Sequence, residues 1–196
     1  MDTLFGLVTP AVAPLFDVFL DFDDVINIEG FQRPKMRPLN APYEDRFDDN
    51  PLYRRASDGS TSYKVAFYPS AISYFKGLES RGGRVRWLST WERHTARFAK
   101  SLGADFDFGY LPWNPWPVGA SGDDIGDVRD NLKLDVVKAR VAEAGIPFIW
   151  VDDSATRLHD PADFSVPSLA VRPDKPTGFD KTHVPAIEAF IESLAS

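Results

Sequence analysis

Asp21 and Asp23 stand two residues apart where the apolar run Leu15-Phe16-Asp17-Val18-Phe19-Leu20 ends, and Phe22, Asp24, Val25, Ile26 and Asn27 complete the segment. Crowded carboxylates repel one another, and a hard divalent cation such as Mg²⁺ is the usual way to offset them. Three more polar clusters follow in order: Ser89 with Thr90, then Lys133, then Asp152 with Asp153. The set answers the needs of in-line phosphoryl transfer. A carboxylate can attack phosphorus and form an aspartyl-phosphate. A second acid can protonate the leaving oxygen and then activate water. A hydroxyl and the N–H groups of a helix start can hold phosphoryl oxygens. An ammonium offsets charge on the attacking carboxylate and the equatorial oxygens. The last acid pair completes an oxygen shell around the cation.

These clusters must be brought together by the elements that carry them. Leu15 to Leu20 reads as a buried strand, Arg84 to Thr90 as a second, Phe106 to Tyr110 as a third, Pro147 to Val151 as a fourth and Ser168 to Val171 as a weak fifth. Between them lie helical patterns. Ser70 can cap a helix with Ile72, Phe75 and Leu78 on one face, and another runs from about Glu92 to Leu102. Asp130 or Asn131 can cap a third that presents Leu134, Val137 and Val141. The last, from about His183 to Leu194, has a stripe of Val184, Ile187, Ile191 and Leu194. Strands alternating with helices imply a parallel sheet covered on both faces. In such a sheet all strand carboxyl ends share one edge, where ligands bind. The acids, the hydroxyls and the lysine can therefore converge.

Two stretches show little periodicity. Residues 28–62 hold four prolines and a locally basic part, Arg33, Lys35 and Arg37, suited to a flap that touches an anionic substrate. Residues 112–130 hold Trp113 and Trp116, which either stack on a base at the site mouth or pin their proline-rich loop to the body. His94 follows Ser89 closely enough to approach a substrate. Thr90 is the alternative to Ser89 for phosphate, and Lys138 the alternative to Lys133.

Composition narrows the classes. A chain of 196 residues with 43% hydrophobic residues suits a single domain with one core. The formal net charge of −7 argues against broad electrostatic binding to nucleic acid or anionic membrane. With no cysteine, disulfides, zinc–thiolate sites and thiol catalysis are excluded, which fits a reducing cytoplasm. The apolar start, from Leu4 to Pro14, lacks a basic leader and carries Asp2, Pro10 and Pro14. It is expected to pack on the sheet edge or to be partly disordered rather than to serve as a signal peptide. No uninterrupted apolar run reaches membrane-spanning length.

The segment Val18 to Asn27 resembles motif I of the haloacid dehalogenase superfamily, Ser89 its motif II, Lys133 its motif III and Asp152-Asp153 a compact motif IV. The resemblance runs from about Phe16 to Leu194. More narrowly, Trp87 to Glu92, Lys133-Leu134, Phe148 to Asp153 and Gly178-Phe179 are similar to the superfamily domains of "Swiss Army Knife" RNA repair proteins. The resemblance implies a Rossmann-like three-layer α/β/α sandwich with strand order 5-4-1-2-3 and no full cap domain. It implies Asp21 as nucleophile, Asp23 as acid/base, Ser89 as phosphate ligand and Lys133 as its support. Mg²⁺ would sit on Asp21, the backbone oxygen of Asp23, and Asp152 or Asp153. The narrower likeness implies a phosphatase acting on nucleic-acid ends; from the sequence no membrane association and no obligate protein partner are expected. Rivals are a nucleotidase or small-metabolite phosphatase, and a non-catalytic binding module on the same fold. A signalling receiver domain uses similar groups, but in a different order along the chain.

Overall fold

The computed structural model describes residues 13–28, 52–57, 61–91, 94–95, 97, 108–115, 125–174 and 177–195. Its elements are β1 (Phe16–Leu20), β2 (Leu52–Ser57), β3 (Ser62–Phe67), α1 (Pro69–Ser80), β4 (Gly83–Trp87), α2 (Ile125–Ala144), β5 (Phe148–Val151), β6 (Ser168–Val171) and α3 (Val184–Leu194). Four of the strands form one parallel sheet in the order β4-β1-β5-β6. These are the first, second, fourth and fifth strands expected from the sequence, in the expected order. The expected third is represented among the described residues by a single parallel bridge, Trp87 to Tyr110.

The two central strands, β1 and β5, are buried on both faces, and apart from Asp17 they are apolar throughout rather than alternating. Every residue of β1 and of β5 is buried. On one face, Val18, Leu20, Val85, Ile149 and Val151 pack with Ala71, Ile72, Phe75 and Leu78 of α1 and Ile187 of α3. On the other, Phe19, Phe148 and Trp150 pack with Val137 and Val141 of α2. The helical stripes read from the sequence therefore face the sheet as expected.

Three boundaries differ from the sequence reading. β2 lies within what reads as an irregular insert, and it pairs antiparallel with β3 from Leu52↔Phe67 to Ser57↔Ser62. Helix α1 begins at Pro69 with no side-chain cap, so Ser70 is not its cap. Proline suits that first position because its missing N–H would have no partner there. Helix α2 begins at Ile125, ahead of Asp130 and Asn131, with Asp127 in its first turn, where an acid favours the helix dipole. Most of the expected 92–102 helix, residues 29–51 and residues 1–12 lie outside the described residues, with Arg33, Lys35, Arg37 and Trp116 among them.

The amino end of the sheet is closed tightly. Buried Asp17 accepts from Arg84 Nε at 2.5 Å and Nη2 at 2.7 Å, and Arg140 of α2 approaches to 3.6 Å. Beside it, Gly83 pairs with Phe16. A Cβ at Gly83 would stand 2.7 Å from the Phe16 ring and 2.9 Å from the Leu78 carbonyl oxygen. The carbonyl belongs to the last turns of α1 and cannot step aside alone. Gly83→Ala is expected to destabilise the fold by about 1–3 kcal/mol in urea unfolding, the range for overpacking a filled core. An unchanged midpoint would mean that α1 and β4 can part freely. No helix among the described residues is long and apolar enough to cross a membrane.

Candidate active site

Backbone hydrogen bonds set three strand ends flush. Leu88 N–H donates to Leu20 O (2.9 Å), Asp21 N–H to Val151 O (3.0 Å) and Asp152 N–H to Val171 O (3.2 Å). The ladder thereby places Asp21, Ser89 and Asp152 just past β1, β4 and β5, on the edge where the parallel arrangement opens a crevice. Past Asp21 the chain closes one turn. Ile26 N–H and Asn27 N–H both donate to Phe22 O, at 2.9 and 2.7 Å. Asp24 within this turn has φ 55°, the left-handed region that favours glycine.

Lys133 reaches the edge from α2. Its Nζ donates to Asp21 Oδ2 at 2.5 Å and to Asp152 Oδ2 at 2.6 Å. Lys138, the alternative, points away into an exposed pair with Asp163. The other Asp21 oxygen accepts from Phe22 N–H at 2.7 Å. Asp152 Oδ1 accepts from Ser154 N–H (2.9 Å) and Ala155 N–H (2.7 Å), where a 3₁₀ turn over Ala155–Leu158 begins. Asp153 lies in the same group. One oxygen from each of Asp21, Asp152 and Asp153 falls within 4.8 Å of the other two, and all three residues are buried.

Among the described residues, three buried carboxylates gather round the Lys133 ammonium. Burial pushes the Asp21 carboxyl up to about 8, with the Lys133 ammonium opposing and Asp152 and Asp153 adding to the rise. Lys133 is held charged: burial works against its ammonium, but Asp21 and Asp152 more than compensate. Asp152 is also desolvated, yet Lys133 and the two backbone N–H groups hold it below the usual carboxylate range. A divalent cation would offset the repulsion in such a group, and clustered hard oxygen donors are the ligand set that Mg²⁺ favours. The residues present therefore fit such an ion.

Asp23 does not add its carboxylate to this triad. Its Oδ1 accepts from Asn27 Nδ2 at 2.8 Å and its Oδ2 from Trp91 Nε1 at 2.7 Å. Ser89 is buried at the end of β4, with its hydroxyl 3.5 Å from Trp91 N–H, and Thr90 beside it is half-buried. Trp113 Nε1 donates to Ser89 O at 3.0 Å, so this indole pins its loop to the body. His94 is half-buried, and its backbone N–H donates to Trp91 O at 2.8 Å.

Four residues to which the sequence reading gave no part in the site belong to it. Trp91 holds Asp23. Asp130, one helical turn before Lys133, accepts from the Ser154 hydroxyl at 3.1 Å and pairs with Arg157, which also pairs with Asp127. The Ser154 hydroxyl also lies 3.4 Å from Asp152 Oδ1, so the chain Arg157–Asp130–Ser154 braces the acidic loop from behind. Asp130 could have been found as an acid on the inward stripe of α2. Trp91, Ser154 and Arg157 carried no such signal. Comparison with models of known protein families, with curated proteins and with solved structures returns no match in any of the three.

Proposed function

We propose that the chain is a Mg²⁺-dependent phosphohydrolase of the haloacid dehalogenase type, with Asp21 as its nucleophile. The observation that carries this reading is Lys133 bridging Asp21 and Asp152 inside a buried acidic triad. A carboxylate oxygen of Asp21 attacks phosphorus, the bond to the leaving oxygen breaks, and Asp23 gives that oxygen its proton. Asp23, now a base, takes a proton from water as the water attacks the aspartyl-phosphate. Inorganic phosphate departs and Asp21 is regenerated. Ser89, with Thr90 beside it, holds phosphoryl oxygens. Lys133 keeps Asp21 aimed and offsets charge on the transferring group. Asp21, Asp152 and Asp153 would hold the cation, which supplies charge stabilisation to the phosphoryl oxygens when bound.

The four motif segments and the sheet order support this reading. So does Asp24, whose left-handed backbone suits a position where the resembling motif often has glycine. The narrower likeness to RNA repair domains supports a terminal phosphate of RNA or DNA as substrate. The test is hydrolysis of a chromogenic aryl phosphate with Mg²⁺ and with a chelator. Turnover is expected only with the metal, and equal turnover in the chelator would defeat the reading. For the substrate, a phosphorylated oligonucleotide is expected to outrun a mononucleotide in kcat/KM. The reverse order would favour a nucleotidase.

A further inference from the structure

Asp23 is held from two sides, and the phosphatase reading by itself explains neither hold. Trp91 Nε1 donates to Oδ2 at 2.7 Å and Asn27 Nδ2 to Oδ1 at 2.8 Å. Both donors lead to β3. The edge of one ring of the Tyr63–Trp91 pair meets the face of the other, with centroids 4.7 Å apart. Asn27 Oδ1 accepts from Ala66 N–H at 3.3 Å. A carboxylate held at one oxygen can still swing about that contact. Donors on both oxygens fix the plane of the group and the direction of its free lone pairs. The residue at Trp91 also brings its backbone N–H to within 3.5 Å of the Ser89 hydroxyl, so one residue spans the acid/base and the phosphate side.

We propose that Trp91 is a positioning residue for proton transfer by Asp23, its indole N–H aiming the carboxyl at the leaving oxygen and Tyr63 holding the indole in place. The inference rests on the phosphatase reading and assigns Trp91 a role in that reaction. Its effect must depend on the leaving group. An alkoxide cannot depart without a proton, whereas a nitrophenolate departs almost unaided, so general-acid help matters far more for the first.

The test compares Trp91→Phe with wild type on an alkyl phosphate and on 4-nitrophenyl phosphate, both with Mg²⁺. Phenylalanine keeps an aromatic ring for Tyr63 and removes the N–H donor together with part of the indole's area. A well-placed general acid contributes roughly 10²–10⁴-fold, so mis-aiming it should cost the alkyl ester about tenfold or more in kcat. The nitrophenyl ester should change by less than about threefold. An equal loss on both esters with an active wild type would overturn this inference alone. A wild type inactive on both overturns the phosphatase reading and this inference with it. A second measurement does not depend on turnover or on the folding of Trp91→Phe. Of the five indole N–H signals expected in a ¹H–¹⁵N spectrum, one should lie downfield and move upfield in Asp23→Ala. If none of them moves, Trp91 does not donate to Asp23 and the proposal fails.

Discussion

Asp21→Asn will lose roughly 10³-fold or more of Mg²⁺-dependent aryl phosphate hydrolysis, about 4 kcal/mol of barrier. The amide has nearly the volume of the acid but no nucleophilic oxygen, so it cannot form the covalent intermediate. A loss of activity alone would not separate chemistry from collapse of the fold, and the pH dependence of stability makes that separation. Burial raises the folded-state pKa of Asp21 to about 8 from an ordinary value of 3.8. Between those values the folded protein binds a proton that the unfolded chain has released. This contribution to stability is therefore full below about pH 4 and is lost as pH rises toward 8. Urea unfolding in chelator at pH 5 and pH 8 should show a fall for the wild type that is smaller for Asp21→Asn. Most of the metal-dependent activity surviving in the variant would show that another group attacks phosphorus.

Lys133→Met should destabilise the metal-free protein by about 3–5 kcal/mol near pH 7. Lys133 and Asp152 are 3% and 0% exposed, so the ammonium cannot be replaced by solvent. Methionine keeps most of the stem and its packing on α2. What remains is a cluster of acids without this ammonium, and truncating one partner of a buried pair leaves the other charge without its compensation. The cost should shrink in acid, where the carboxyls take up protons. It should also shrink with millimolar Mg²⁺, because acids without the ammonium bind the ion more tightly than the wild-type cluster and so gain more stability by mass action. A variant as stable as wild type in chelator would contradict the double contact made by Lys133.

The parts of this architecture that sequence periodicity could show were the apolar ones. β1 and β5 are unbroken runs of buried residues, and α3 carries its stripe without interruption. The site acids were legible for a related reason, since each stands where such a run stops. β2 was not legible. Leu52-Tyr53-Arg54-Arg55-Ala56-Ser57 has no alternation, and its strand form comes from pairing with β3. Asp130 looked like a helix cap because acids commonly serve there. Its carboxylate instead faces Arg157 and Ser154, residues more than twenty positions away. Trp91 shows the same limit at the scale of one bond. An indole advertises a donor, but which acceptor it meets depends on how two loops from different strands come together.

The pairing of Asp17 with Arg84 fastens the amino end of the sheet at a distance from the crowded acids. Asp17 and Asp21 lie four residues apart on one strand, about 13 Å at 3.3 Å per residue. That is beyond the 7–10 Å or so within which energetic effects of substitutions usually interact. The clasp at the amino end is thus energetically separate from the repulsion among the acids at the other edge. A change of charge at the acidic rim, by a proton or a bound cation, would leave the floor beneath it unrepacked.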